Sequence, residues 1–151
     1  MIRKSIFISC ALLMVALQSC QTGTDSSAQK DTVFTKSDFI AVDGRDTAIM
    51  NLRTGNDIVE GKLVLKLYNQ EDNDGFVRGS FKKDTLFVDY SFRKGAKKII
   101  YKNPLAFLKR NGELVLGVGK MESMFGRTYL RKDVPIEFYQ GRFTFKPVPI
   151  Q

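Results

Sequence analysis

The sequence predicts an all-β domain: an antiparallel up-and-down meander of about eight strands that forms a closed or half-open barrel, with a sandwich as the alternative for such strand spacing. Leu63, Leu65 and Leu67 recur at every second position in the first of three strands between residues 62 and 92. Because successive side chains of a strand point to opposite faces of a sheet, this alternation marks one buried face. Turn residues recur about every ten residues, and sequential hairpins favour the up-and-down order.

The other two strands of this unit continue the pattern. Val77 and Phe81 share one face of the second strand. The third strand places four apolar residues on one face: Leu86, Val88, Tyr90 and Phe92. Leu65 and Val88 are central in their strands, so both are predicted core residues.

Turn signals separate the strands. Asn73-Asp74-Gly75 and Lys83-Asp84 are predicted to connect the three-strand unit, since Asp-Gly supplies the positive φ of a tight hairpin. Further turns are predicted at Asp43-Gly44, Gly55-Asn56-Asp57 and Asn111-Gly112. The strands predicted outside the unit span residues 39–42, 47–53, 98–101, 106–109, 113–119, 136–139 and 142–146.

Two stretches depart from this regularity. Asn103-Pro104 predicts an edge strand or a broken strand, because proline cannot donate to a ladder. Met121, Met124 and Phe125 have helical spacing and predict one helical turn that Gly126 would stop. Two interpretations of that segment stay open: a plug over the barrel end or over an open sheet, and a methionine-bearing lid over a ligand mouth.

Residues 1–19 predict a bacterial lipoprotein signal peptide. Arg3 and Lys4 precede an apolar run that is shorter than the roughly 20 residues a membrane span needs. Leu17-Gln18-Ser19-Cys20 resembles a lipobox, although Gln18 departs from the small or β-branched residue that is commoner there. Cys20 is therefore the predicted lipidation site, and its acyl chains would anchor the chain to a membrane at ~0.8 kcal/mol per buried methylene.

Two further segments follow the leader. Residues 20–36 are polar and are predicted to be the lipidated cysteine with a flexible tether, and residues 37–151 a single β domain. Gln21 is not the aspartate that signals inner-membrane retention, and no acidic pair follows Cys20 shortly. By resemblance to bacterial lipoproteins, we expect an outer-membrane protein that faces the periplasm.

Composition narrows the possible partners and chemistry. The formal charge is +8, from 24 Lys and Arg against 16 Asp and Glu; without the leader's Arg3 and Lys4, 22 basic residues against 16 leave +6. Such a charge favours an anionic envelope component, or it keeps exposed strand faces soluble, and no nucleic-acid partner is expected. Histidine is absent and both cysteines lie in the first 20 residues, so the predicted domain has no triad and no His-ligated zinc.

Two sets of polar residues remain as candidate sites. Paired carboxylates are the simplest mechanism without histidine, and the available glutamates are Glu60, Glu113, Glu122 and Glu137. A polar pocket could use Tyr68, Tyr90 and Tyr101 with Lys66 and Arg78, although such side chains more often cover strand faces. Nothing in one sequence brings either set together, so we expect no catalytic residues, no cofactor and no enzyme activity.

Asp72 and Asp74 invite a calcium assignment that their spacing does not support. Gln70 stands where an EF-hand loop has its first aspartate, and Phe81 stands where it has a bidentate glutamate. A hairpin turn explains these residues, so no metal site is predicted. Calcium affinity should be millimolar at best.

One run of residues carries a family resemblance. Leu67–Gly75, Arg78–Leu86 and Asp89–Phe92 resemble a run in small uncharacterised lipoproteins of Bacteroidota, and the likeness covers roughly Asp43 to Pro147. It implies a lipobox, a short tether and a single β domain with a calycin-like or lipocalin-like barrel. The shared residues are turn and strand residues, so they carry a fold and no activity.

These observations favour a membrane-anchored envelope lipoprotein with a non-catalytic β domain. We expect that domain to bind a small apolar or amphipathic molecule, or an envelope partner. The alternatives are a carboxylate-based glycan hydrolase and a purely structural outer-membrane lipoprotein. A cavity lined by apolar residues would favour binding, and two carboxylates facing each other across a cleft would favour hydrolysis.

Overall fold

The structure is a computed structural model that describes residues 33–149. The predicted signal peptide, Cys20 and most of the tether lie outside the described residues. No helix able to cross a bilayer occurs in this range. Its ten strands are β1 (Thr35–Asp43), β2 (Asp46–Gly55), β3 (Ile58–Lys66), β4 (Asn73–Lys82), β5 (Thr85–Lys94), β6 (Tyr101–Arg110), β7 (Glu113–Leu116), β8 (Met121–Met124), β9 (Arg127–Leu130) and β10 (Thr144–Val148).

Eight of these strands close into an antiparallel barrel. Around the barrel the order is β1-β10-β7-β6-β5-β4-β3-β2, so the first seven strands are neighbours in sequence and in space. β10 lies between β7 and β1 and completes the closure. The predicted all-β, up-and-down meander is confirmed, and the barrel is closed. Its architecture is that of a calycin-like barrel.

The barrel interior is filled by its own side chains. The predicted inner faces between residues 62 and 92 are confirmed: Leu63 and Val88 are buried, and Leu65 is half-buried and packs against the same cluster. An eight-stranded barrel is just wide enough for side chains to fill it. The buried cluster consists of Phe39, Ala41, Ala48, Met50, Leu52, Val59, Leu63, Val77, Leu86, Val88, Tyr90, Phe92, Phe107, Leu114, Phe143 and Phe145. All residues of this cluster lie between positions 39 and 145, and residues 31–151 form one compact unit.

Tyr90 places a hydroxyl group inside this apolar core. Its hydrogen is shared between the backbone carbonyl oxygens of Asn73, at 2.9 Å, and Leu63, at 3.1 Å. Burial raises the pKa of Tyr90 above its usual range, and the negative charge of Asp74 raises it further. The ring stacks on Phe92 with centroids 4.6 Å apart. Tyr90 thereby satisfies two backbone groups at the β3–β4 end of the barrel.

The turn between β3 and β4 is not where the sequence predicted it. Asn73-Asp74-Gly75 lies within β4, and the chain turns at residues 67–72 instead, where Asn69 has φ 57°. Gly75 is opposite Phe92 in the ladder, and a β-carbon at Gly75 would overlap Phe92. The glycine is therefore required by close packing between strands and not by a positive φ.

The other predicted turns are confirmed, and β6 is continuous through its proline. Asn56, Lys83 and Asn111 all have φ between 50° and 54° at two-residue hairpin turns.

Pro104 lies opposite Asp89 on β5, but β6 pairs with β7 only from residue 107 onward. Residues 101–105 of β6 thus form a local edge, which is where a sheet tolerates proline.

Residues 117–142 leave the barrel wall, and we call them the outer segment. Its β8–β9 hairpin is closed by Phe125 and Gly126, with φ 51° and 73°, so the predicted helical turn is wrong. Met121, Met124 and Phe125 are 47%, 52% and 96% exposed, so they do not plug the barrel. The period-two geometry of a hairpin, and not helical spacing, sets which way these side chains point.

A second, smaller apolar contact lies outside the barrel. Ala106 and Val115 are buried but do not belong to the interior cluster, because they alternate with the interior residues Phe107 and Leu114. Gly117 comes two residues after Val115, and a β-carbon there would overlap the side chains of Ile136 and Phe138. The glycine therefore lets residues 136–138 of the outer segment lie close to this face.

Candidate functional site

A groove of about 730 Å³ runs between the outer face of the barrel and the β8–β9 hairpin. We call it the outer groove. β4–β6 provide Arg78, Ser80, Lys82, Phe87, Asp89, Pro104 and Leu105, and the hairpin provides Glu122, Met124, Thr128, Tyr129 and Leu130. It is bounded by strands on both sides, because β9 lies beside the unpaired half of β6.

One end of the outer groove is apolar with a basic rim. There it adjoins a pocket of about 450 Å³, and both are lined by Lys82, Phe87, Leu130 and Lys132. The Lys82 ammonium lies 5.6 Å from the centre of the Phe87 ring, within the range of a cation–π contact. The adjoining pocket adds apolar residues of the outer segment: Val134, Pro135, Ile136 and Phe138.

The other end of the outer groove is polar and carries both signs of charge. Arg78 stands between Glu60 and Asp89 in the strand register, so opposite charges alternate across the sheet. At the opposite end, beside the adjoining pocket, Arg131 donates from Nε to Asp133 at 3.0 Å, and this hydrogen bond lowers the pKa of Asp133. A ligand that lies along the groove would therefore meet an apolar surface at one end and hydrogen-bonding groups at the other.

The structure does not bring the predicted tyrosine pocket together. Tyr90 is in the core, and Tyr101 packs against the core beside Phe92. Tyr68 is 52% exposed, and the Arg45 guanidinium lies 4.5 Å from its ring centre. Lys66 is exposed, and only Arg78 of this set lines the outer groove.

The four candidate glutamates are also dispersed. Glu60 pairs with Arg53 at 2.5 Å, Glu113 follows the β6–β7 turn, and Glu137 forms a bridge with Val118. Glu122 lines the outer groove, as does Asp89 on the barrel side. Both carboxylates are exposed to solvent. Asp89 was not among the sequence candidates.

The described residues offer no cluster suited to a metal ion. Within residues 33–149 no group of three or more acidic, cysteine or histidine side chains is arranged as ligands. Asp74 pairs with Lys62 at 3.0 Å from within β4, while Asp72 lies in the preceding turn. The two aspartates therefore belong to different local structures.

Asp46 forms a charged contact at the barrel end near the β1–β2 turn. It is 8% exposed, its Oδ1 accepts the Tyr68 N–H at 2.6 Å, and its Oδ2 accepts from Arg142. Arg142 also donates from Nε to Asp43 at 3.0 Å. The Tyr68 hydrogen bond lowers the pKa of Asp46 most, burial opposes it, and Arg142 lowers it further.

This contact reinforces the part of the barrel in which neighbouring strands share the fewest paired residues. β10 pairs with β1 at three positions and with β7 at two, whereas β4 and β5 pair at ten. Arg142 lies just before β10 and joins it to the β1–β2 turn. We therefore assign Asp43, Asp46 and Arg142 to barrel closure.

Sequence reasoning did not identify the outer groove. Its lining residues lie in three stretches of the chain between positions 78 and 133, and only the path of the outer segment brings them together. One available signal was Phe87, a large apolar side chain on the polar face of β5. A comparison with protein-family models gave no match, and searches of curated proteins and of solved structures gave no significant match.

Proposed function

We propose that the chain is a lipid-anchored envelope protein whose barrel binds an amphipathic small molecule in the outer groove, without catalysis. The observation that carries the proposal is the groove itself, with Phe87 and Leu130 at one end and Arg78 and Asp89 at the other. Small-molecule sites combine an apolar lining with a few polar groups that orient the ligand.

The filled interior supports the outer surface as the binding place. Lipocalin-like barrels of this strand number hold a ligand inside only when the interior is left open. Here Phe107, Phe145 and Met50 are all fully buried within one packed cluster. A ligand of a few hundred Å³ would need several of these side chains to move, at a cost of several kcal/mol.

A groove-filling variant tests this site. Ser80 lies half-buried on the groove floor, so Ser80→Trp should fill the space and reduce ligand capture. The matched control is Thr47→Trp, because Thr47 is half-buried on the outer face of β2, away from the outer groove. The chain from residue 31 onward, fused to a cleavable export signal, should be expressed in a bacterial envelope and purified gently. Mass spectrometry of the small molecules that co-purify should then show an amphipathic species retained by the parent and by Thr47→Trp. Equal retention by Ser80→Trp would refute the outer groove as the site.

Anchoring rests on Cys20 and is tested separately. Full-length protein should appear in the membrane fraction, and Cys20→Ala should leave the precursor uncleaved or release the protein. Mass spectrometry of the N-terminal peptide should find acyl chains on Cys20. Normal processing and membrane fractionation of the Cys20→Ala variant would contradict the lipoprotein proposal.

Glycan hydrolysis is the second candidate, because Asp89 and Glu122 line the same groove. A carboxyl that acts as a general acid typically lies in an apolar pocket, whereas both of these residues are exposed. We therefore favour binding without catalysis. Release of reducing sugar from envelope glycans by the parent, lost in Glu122→Gln, would reverse this preference.

A further inference from the structure

The turn of the β8–β9 hairpin carries a residue that local backbone chemistry does not favour. Phe125 and Gly126 have φ 51° and 73°, close to the 54° and 82° of Asn111 and Gly112 in the β6–β7 turn. Asparagine is the usual residue at the first of these positions, and a bulky residue is strained there. Phe125 is also 96% exposed, so packing does not explain it. Departures of this kind concentrate at functional sites.

Phe125 belongs to a group of exposed apolar side chains. Gly126 lines a surface pocket of about 580 Å³ together with Ile100, so the hairpin tip lies beside the β5–β6 loop. Ile99, Ile100 and Met124 are 61%, 55% and 52% exposed. We call Ile99, Ile100, Met124 and Phe125 the tip patch. Single exposed apolar residues are common, but several of them on two adjoining loops mark an interaction surface.

Basic side chains surround the tip patch. Lys102 and Arg127 line the same pocket as Ile100, and Lys98 directly precedes Ile99. None of these three is in an ion pair with another residue of the described range, whereas Lys97 pairs with Glu71 at 2.7 Å. The same pocket is lined by three basic side chains, Arg78, Lys102 and Arg127, and by one acidic side chain, Asp89. An apolar tip with this excess of positive charge around it matches the headgroup region of an anionic lipid leaflet.

We propose that the tip patch inserts into an anionic phospholipid surface, as a membrane contact distinct from the lipid anchor. Phe125 and Met124 enter the boundary between headgroups and acyl chains, and Lys98, Lys102 and Arg127 lie among the phosphates. A two-residue hairpin tip suits insertion better than protein docking, because a stable protein interface buries about 800 Å² per partner.

The length of the tether permits this orientation. β1 begins at the end of the barrel that carries the β2–β3 turn, and the tip patch lies at the opposite end. A fully extended chain of the 14 residues from Gln21 to Phe34 would reach at most about 45–50 Å, and a ten-residue strand spans only about 33 Å. A chain anchored at Cys20 is therefore long enough for either barrel end to reach the bilayer.

Vesicle binding by the chain from residue 31 onward tests the proposal without Cys20. We expect it to sediment with vesicles of mixed phosphatidylcholine and phosphatidylglycerol but not with phosphatidylcholine alone. Phe125→Asn should reduce partitioning about tenfold while restoring favourable turn chemistry, so misfolding does not account for the loss. Lys102→Gln should reduce partitioning about fivefold, and added salt should weaken binding of the parent.

The matched control is Ile58→Asn. Ile58 is 42% exposed beside the β2–β3 turn, at the barrel end away from the tip patch, so its removal should leave vesicle binding unchanged. Unchanged binding of Phe125→Asn, or equal binding to neutral and anionic vesicles, would overturn the proposal. A second contradicting outcome is a parent protein that does not bind vesicles but forms a dimer in sedimentation velocity. If Phe125→Asn dissociates that dimer, the tip patch is a protein interface.

Discussion

The barrel and the outer segment are stabilised in different ways. In the barrel, strands of mostly nine or ten residues pair along their length and enclose one apolar cluster. In the outer segment, two strands of four residues pair only with each other, and all four residues of β8 are exposed. The barrel thus contains most of the packing in the described residues, whereas the outer segment supplies the surfaces at which we propose that a ligand and a membrane bind. Binding elements are commonly drawn from the less stable parts of a fold.

The largest expected effect is a difference in the free energy of unfolding between a variant of the barrel interior and a variant of the outer segment. Phe107→Ala removes a fully buried ring that meets Phe145 edge-to-face at 5.6 Å, and it should lower the free energy of unfolding by about 3–5 kcal/mol. Leu130→Ala, in the half-buried hairpin contact, should cost about 1 kcal/mol. Urea titration measures both. Equal losses would mean that the outer segment is part of the same cooperative core.

A smaller effect concerns two aspartates that both have a lowered pKa. Asp46 belongs to barrel closure, and Asp133 pairs with Arg131 on the outer segment. A carboxylate with a lowered pKa stabilises the fold above its unfolded pKa of 3.8, and this contribution is lost as the pH falls through the folded value.

Asp46→Asn should therefore lower the melting temperature at neutral pH by several degrees, and the gap from the parent should narrow below pH 3.8. Asp133→Asn should change little, since its side chain is 65% exposed and screened by water. Thermal melts between neutral and acidic pH measure both variants. A constant gap for Asp46→Asn would argue against its role as an ionised contact.

Tyr90 should make the barrel sensitive to alkali. A raised pKa in the folded state means that stability is present below the unfolded value of 10.0 and is lost as the pH rises above it. Tyr90→Phe should cost about 1 kcal/mol at neutral pH through its lost hydrogen bond. Above pH 10.0 the parent should lose stability more steeply than the variant. Denaturant titrations across this range test the difference, and parallel pH profiles would contradict it.

The smallest effect compares the two hairpin turns directly. Asn111→Phe places a bulky residue in the left-handed region within the barrel and should lower the free energy of unfolding by about 1 kcal/mol. Phe125→Asn relieves the same strain outside the barrel and should raise it by about 0.5 kcal/mol or less. Thermal melting of both variants measures the asymmetry. A loss on Phe125→Asn would show that the ring stabilises the fold.

Local pattern predicted the barrel well because its strands follow local rules. Leu63 and Val88 were assigned to the buried face from alternation alone, and Asn111-Gly112 was recognised as a turn from its preference for positive φ. The turn predicted at Asp74-Gly75 was wrong, because Asp-Gly is a turn signal but here lies within a strand. The close approach of Phe92 explains the glycine. Leu65 packs against the interior cluster, as predicted, but its side chain is only half-buried.

The outer segment was predicted less well for a different reason. Met121, Met124 and Phe125 fit helical spacing in four or five residues, which is too short a stretch to separate a helical turn from a hairpin. The outer groove has no local signature at all, because Arg78, Phe87 and Leu130 come from three strands. Only the path of the chain outside the barrel brings them together.

The sequence by itself determined which faces of the barrel strands are apolar, because alternation at period two is a property of each strand alone. It also predicted the lipobox at Cys20, which is read from adjacent residues. Tertiary structure alone decided that Gly75 packs inside a strand, that Arg142 reaches Asp46, and that the β8–β9 hairpin lies against the outer face of the barrel. These depend on distances between residues far apart in the chain, and such distances are set only when the barrel closes.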